Sequence, residues 1–367
     1  MIPALKISFF GSSLVSAYWN GAATYYRGLL RALAERGHQI TFYEPDAYER
    51  QQHRDMDDPD WARVVVYPAT KEEDALQAVE RARDSDVVIK ASGVGVFDAL
   101  LELAVLELQT ADRLVAFLDV DAPATLDRIH SDPADKFLTL IPCYDFILTY
   151  GGGEPVIRAY KAAGATDCVP IYNALDPHTH HPAAPDPRFA GDLGFLGNRM
   201  PDRESRVEQF FLAAATALPK KAFLLGGNGW QDKPLPPNVN YVGHVYTHQH
   251  NAFNRSVSAV LNINRGSMAR YGFSPPTRVF EAAGAGACLI TDQWEGIEMF
   301  LEPGREVLVA RDGDEVAEIL ATLSPDRARA IGQAAFERVT SEHTYAHRAD
   351  LLERVLAANL QRSFVIS

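Results

Sequence analysis

The chain has 367 residues, 47% hydrophobic and 23% charged, an ordinary balance for a soluble globular protein and enough length for two cores. Its net charge of -13 is spread along the chain. That argues against a nucleic-acid partner, which needs a basic face, and leaves room only for a local cationic site for a small anion. The three cysteines, Cys143, Cys168 and Cys288, form no CxxC pair. They point to no disulfide framework or zinc-thiolate site and fit a reducing cytoplasm.

In chain order, KISFF (6–10) reads as a buried strand, and Ser12, Ser13 and Ser16 break up the apolar core that an export signal would need. Residues 20–37 read as an amphipathic helix, with Tyr25, Leu29 and Leu33 on one face and Gly37 as its stop. HQITFYE (38–44), DVVIKAS (86–92), RLVAFLDV (113–120) and YDFILTY (144–150) are strands, alternating with helices at 71–84, 98–110 and 153–164. The pattern restarts with DLGFLG (192–197) and a helix at 202–217, then strands at 221–227, 239–245, 258–264, 287–292 and 306–310. No run is apolar over the roughly 18 residues that a transmembrane helix requires.

Between the halves, NALDPHTHHPAAPDPRF (173–189) carries Pro177, Pro182, Pro185 and Pro187, with Pro170 just upstream, and is the expected hinge. The expected division is 1–172, 173–342 and a final helix, 343–367, returning to the N-terminal domain. Alternating strands and helices predict α/β domains with parallel, doubly wound sheets, whose ligands sit at the carboxyl ends of the strands.

The loops there carry the chemistry. In YGFSPPTRVFEAAGAGACLITD (271–292), Gly272, Pro275 and Pro276 hold an irregular loop, and Ser274, Thr277 and Arg278 lead into a helix whose free N–H groups suit an anion. Glu281, one turn in, has two acceptor oxygens that match a vicinal diol such as a ribose. The alternative is a helix packed tightly through its Ala and Gly, with Glu281 solvated. Asn198, Arg199 and Arg203 follow one strand, Gly227 and Asn228 another, and His244 and Val245 a third. In the first half the corresponding residues are Gly11, Ser13, Asn20, Gly21, Lys90 and Ser92. Asp119 and Asp121 are candidates to bind an acceptor hydroxyl or act as a base, or to cap the next helix. His178, His180 and His181, and separately His244, His248 and His250, have no carboxylate or Cys partner at a metal-site spacing, so no metal is expected.

The order of IYNALDPHTHHP, DLGFLGNRMPDRESR and the 271–292 stretch resembles the nucleotide-binding half of GT-B glycosyltransferases. The chain is more closely similar to the spore-maturation CgeB-type enzymes in its Ser/Pro…Arg-x-Phe-Glu-Ala motif, its HTYAHR (343–348) and FFGSSLVSAYWNGAATYYR (9–27). The resemblance implies two Rossmann-like domains facing across a cleft, and transfer of a sugar from a nucleotide-diphosphate sugar, UDP-linked, to an unidentified acceptor. It implies retention without a dedicated nucleophile, and no cofactor or metal. Arg199, Arg203 and Arg278 would meet the diphosphate, and main-chain groups at His244 and Val245 the base. One departure stands out: the wider family's Glu-x7-Glu motif would begin at 273, which is Phe273. Its role passes to N–H groups of Gly272 to Ser274 or is absent. A sugar-nucleotide epimerase using Asp119, Asp121 and His130, and a non-catalytic binding protein, are the other readings.

Overall fold

The computed structural model describes residues 2–18 and 20–366. The chain divides into two compact units: one runs to Asn173 and resumes at Tyr345, and the other spans Ala174–Thr344.

The first unit is built on a seven-stranded parallel sheet. Its strands are β1 (Lys6–Phe10), β2 (Gln39–Asp46), β3 (Ala62–Pro68), β4 (Val87–Ala91), β5 (Leu114–Asp119), β6 (Phe146–Thr149) and β7 (Cys168–Pro170), in the order β3-β2-β1-β4-β5-β6-β7. The central β4, β5 and β6 are buried along their whole length, as expected of strands covered by helices on both faces. β3 and β7 lie outside the sequence reading. Both are edge strands: β3 alternates buried and exposed although it holds the run Val64, Val65, Val66 and Tyr67, and β7 has only three residues.

The second unit repeats the plan with six parallel strands: β8 (Gly191–Leu196), β9 (Phe223–Gly226), β10 (Val239–Gly243), β11 (Val257–Asn262), β12 (Leu289–Asp292) and β13 (Leu308–Ala310). Their order is β10-β9-β8-β11-β12-β13, over a core that includes Phe195, Phe211, Phe223, Trp230, Leu261 and Ile290. In both sheets the order reverses beside the first strand, between β1 and β4 and between β8 and β11. Doubly wound sheets bind ligands at that switch point, outside the carboxyl ends. Both units are thus Rossmann-like, as the sequence predicts.

Within HTYAHR, Tyr345 begins the last helix, Tyr345–Ile366, which packs on Ala23–Glu35 within the first unit. The Arg348 guanidinium donates to the carbonyls of Tyr172 and Asn173, at 3.2 and 3.4 Å. Glu353 takes Arg36 at 2.6 Å and meets His38 at 3.0 Å. The helices approach closely because Gly28 has no side chain: a Cβ there would lie 2.1 Å from the Tyr345 ring. Gly28→Ala is therefore expected to destabilise the first unit by about 1–3 kcal/mol through overpacking, read as a lower midpoint in urea. Among the described residues no helix is long and apolar enough to cross a membrane.

Candidate functional site

In the second unit, tandem prolines decide where the key helix starts. Pro275 and Pro276 favour extended backbone before them, and Pro276 is extended (φ -66°, ψ 155°), so the helix opens at Thr277 and runs to Gly284. Arg278 then sits in its first turn and Glu281 about one turn in. Gly284 lets this helix press on the hinge segment, since a Cβ would meet Leu175 at 2.2 Å and the His180 carbonyl at 3.2 Å.

The hinge segment is itself locally determined. Asp176 accepts from the His178 N–H and the Thr179 hydroxyl, both at 3.0 Å, while the His180 N–H donates to the Asp176 carbonyl at 2.9 Å. Asn251, on the helix Thr247–Ser256, donates to the Thr179 carbonyl at 2.9 Å and accepts from the His181 N–H at 3.3 Å. His180 is gripped on both sides, and its side chain is held beside His250 and Glu281. One His from each of the two sequence clusters thus joins a carboxylate, and the three ligating atoms lie within 4.8 Å of one another. No carboxylate stands near these histidines along the chain; the fold brings Glu281 to His180 and His250.

The electrostatics of this corner are unusual. His180, 2% exposed, leaves its Nε2 without a hydrogen bond. The His250 Nε2 lies 3.2 Å from the Val245 carbonyl, and its Nδ1 has no partner. A carbonyl can only accept, so Nε2 carries the proton and Nδ1 a bare lone pair. Burial lowers the pKa of both rings, that of His250 to about 4, so both are neutral near pH 7. Burial also opposes the charge on Glu281, but at the acid pH where the carboxyl titrates the protonated His180 and His250, with Arg278, outweigh it and hold the carboxyl below its ordinary value. The permanent charge among these neighbours is that of Arg278. Its guanidinium stands 3.9 Å from Glu281, beyond hydrogen-bond reach, and its Nη1 is buried without a partner.

Arg203 completes the cationic side. Its Nη1 donates weakly to the Asn198 carbonyl at 3.4 Å, and its Nε is buried without a partner. Burial depresses the Arg203 pKa, and repulsion from Arg278 and Arg265 adds to this. Two guanidiniums near enough to repel, each with an unused buried nitrogen, have the charge and the donor geometry that an anion requires.

Several expected site residues have other work. Arg199 is bidentate on Glu204, both contacts at 2.8 Å, and reaches Asp232 at 2.9 Å, so most of its donors are engaged by carboxylates and the diphosphate expectation rests on Arg203 and Arg278. Asn198 and Asn228 bond each other's loops: the Asn228 N–H donates to Asn198 Oδ1 at 2.9 Å. Gly227 (φ 121°) is required there, because a Cβ would lie 2.2 Å from the Gly197 carbonyl. Val245 is buried and His244 exposed. The Ser274 hydroxyl donates to the Gly272 carbonyl at 2.9 Å. The Gly272 and Phe273 N–H groups, expected to replace the missing Glu, go to Met268 and Glu295. Phe273 is left-handed (φ 47°), so this loop carries real backbone strain.

The first unit brings larger corrections. Lys90 is fully buried, its ammonium 2.7 Å from Asp98 and 3.4 Å from Glu102, which removes it from any acceptor. Asp119 is also fully buried. It accepts from the Ser92 hydroxyl at 2.9 Å, Thr125 at 3.0 Å, the Asp121 N–H at 3.0 Å and Tyr160 at 2.5 Å. Burial raises its pKa against these bonds. It ties together the carboxyl end of β5 and leaves no oxygen for catalysis. Asp119→Ala is expected to cost on the order of 3 kcal/mol by stranding buried donors, seen as a lowered melting temperature. Ser13 donates to buried Glu44 at 3.0 Å. Asn20 accepts from Ser12 at 2.8 Å and donates to the Ser13 and Ser16 carbonyls at 2.9 and 3.0 Å, stapling the loop after β1. Both therefore shape that loop rather than face an acceptor. Gly11 is set by packing, since a Cβ would lie 2.5 Å from the Phe42 ring. Gly21 has open space around its Cβ position, and Asp121 is half-buried.

Comparison with known proteins follows this geometry. The family described as "Glycosyl transferase-like" matches residues 203–354, the stretch that holds Arg203, His250, Arg278 and Glu281. No curated protein sequence matches the chain. Among solved structures, HepE of Anabaena in complex with UDP and glucose is similar at TM-score 0.68 and 15% identity, covering 96% of this chain and 100% of its own. The sucrose-phosphate synthase of Thermosynechococcus elongatus is similar at TM-score 0.69 and 15% identity, covering 99% and 100%. An alpha-glucosyltransferase in complex with UDP-glucose and DNA is similar at TM-score 0.69 and 11% identity, covering 97% and 100%. The two Rossmann-like units are those of the GT-B fold, and residues 203–354 match a glycosyl transferase-like family.

Proposed function

We propose that this protein is a glycosyltransferase that takes a UDP-linked sugar and passes the sugar to an acceptor with retention of configuration. The observation that carries this reading is the pairing of two half-buried arginines, Arg203 and Arg278, each with a buried nitrogen left without a partner, with an ionised Glu281 at the start of Thr277–Gly284. In this reading the guanidiniums and the helix N-terminus hold the diphosphate and stabilise it as it leaves, work done elsewhere by a metal ion, so transfer needs no added metal. Glu281 takes both ribose hydroxyls, which favours a ribonucleotide. Neighbours of the same fold were crystallised with UDP or UDP-glucose.

Asp121, half-buried at the end of β5, is the acceptor-side carboxylate we assign in place of Asp119. The terminal HTYAHR helix supports a CgeB-type relationship. The three unpaired cysteines support a cytoplasmic setting, and the charge of -13 supports an acceptor other than nucleic acid.

The test is incubation with a panel of nucleotide sugars without added metal, following free nucleotide and sugar isomers by mass spectrometry and NMR. Slow release of UDP from one donor is expected. Interconversion of sugars without nucleotide release, or failure to bind any donor, overturns the proposal.

A further inference from the structure

We infer that His180, His250 and Glu281 form a binding site for a zinc-class divalent cation. The three ligating atoms lie within 4.8 Å of one another. Ligands at about 2.1 Å in a tetrahedral site stand about 3.4 Å apart, so each pair has to close by no more than about 1.4 Å, within reach of small side-chain rotations.

The donor set is also prepared chemically. His180 Nε2 and His250 Nδ1 are the unpartnered nitrogens of the corner, and His180 is 2% exposed. The other nitrogen of His250 is committed to the Val245 carbonyl at 3.2 Å, the outer hydrogen bond that fixes the tautomer and aims the lone pair of a metal-binding imidazole. Asn251 clamps the backbone on either side of His180. Two imidazoles and one carboxylate suit zinc or cobalt rather than magnesium or calcium, and leave a fourth position for water.

Arg278 sets the character of the site. Its charge lies 3.9 Å from Glu281 and opposes a cation, so the ion is exchangeable rather than structural. If Glu281 also holds the donor ribose, as proposed above, the cation and the donor compete for one carboxylate, and zinc acts as an inhibitor of a transfer that itself needs no metal.

The experiment uses the full-length protein stripped with a chelator. Zinc is titrated by calorimetry, and cobalt serves as a probe whose visible absorption reports tetrahedral nitrogen and oxygen ligation. The expected result is one ion per chain, with affinity reduced more than about tenfold by His180→Gln or His250→Ala, at least the size of losing an outer hydrogen bond at a metal site. His244→Ala and His248→Ala, on exposed neighbours, should leave it unchanged. Should the ligand variants fold poorly, the cobalt spectrum of the unmodified protein still decides. No stoichiometric zinc, an octahedral cobalt spectrum, or equal loss in His248→Ala overturns the site. Zinc that binds through His180 and His250 yet leaves UDP affinity unchanged upholds the site and removes Glu281 from the ribose. Absence of zinc binding, with UDP binding still sensitive to Glu281→Gln, rejects the cation and keeps the donor reading.

Discussion

Glu281→Gln is expected to weaken UDP binding by about 10- to 100-fold, the roughly 1.5–3 kcal/mol carried by hydrogen bonds to a charged group. The side chain keeps its shape and its place against Arg278, so the loss reports charge and acceptor capacity rather than packing. Titration with 2′-deoxy-UDP separates the ribose contact from everything else. The unmodified protein should prefer UDP to the deoxy compound, and the variant should bind the two almost equally. If the preference for UDP survives in Glu281→Gln, the diol contact lies elsewhere, and the carboxylate serves only to balance Arg278.

Arg203→Met should cost on the order of 2–5 kcal/mol of UDP affinity, the scale for removing one partner of a buried charged contact, and should leave uridine binding unchanged. Methionine fills most of the arginine stem's volume without its charge. Arg278→Met should lose more. It removes a phosphate donor and also the permanent positive charge that helps keep Glu281 ionised, so uridine binding weakens as well. The contrast is the informative result: Arg203 acts on the diphosphate alone, and Arg278 on both ends of the nucleotide. Isothermal titration with UDP and uridine reads both. Equal losses for the two ligands in Arg203→Met would place the diphosphate away from this pair.

Local pattern was enough for much of this protein. The strands β1, β2, β4, β5, β6 and all six of the second sheet lie in apolar runs bounded by turn residues, and the helices between them dictate parallel pairing. Tandem prolines announced where Thr277–Gly284 begins, and with it Arg278 and Glu281, because proline restricts its own φ and its predecessor whatever the surroundings. The edge strand β7 was not legible, because a three-residue strand carries little hydrophobic signal.

What side chains do was decided by the tertiary structure. Arg199 and Arg203 are both cationic residues in the loop and helix after β8, and only the positions of Glu204 and Asp232 show that the first is paired with carboxylates and the second is not. Lys90 and Asp119 stand at strand ends where ligands bind, yet both are enclosed: Lys90 is paired with Asp98 and Glu102, and the Asp119 carboxyl is taken up by hydrogen bonds from Ser92 and Tyr160. His180, His250 and Glu281 are separated by dozens of residues, and their approach depends on Asn251 and Gly284 drawing three elements to one point. Residue type and local spacing therefore determined which elements form and where loops open, since those follow from backbone restriction and apolar periodicity. Which charges remain free for a ligand depends on long-range partners that only the folded chain brings within hydrogen-bond distance.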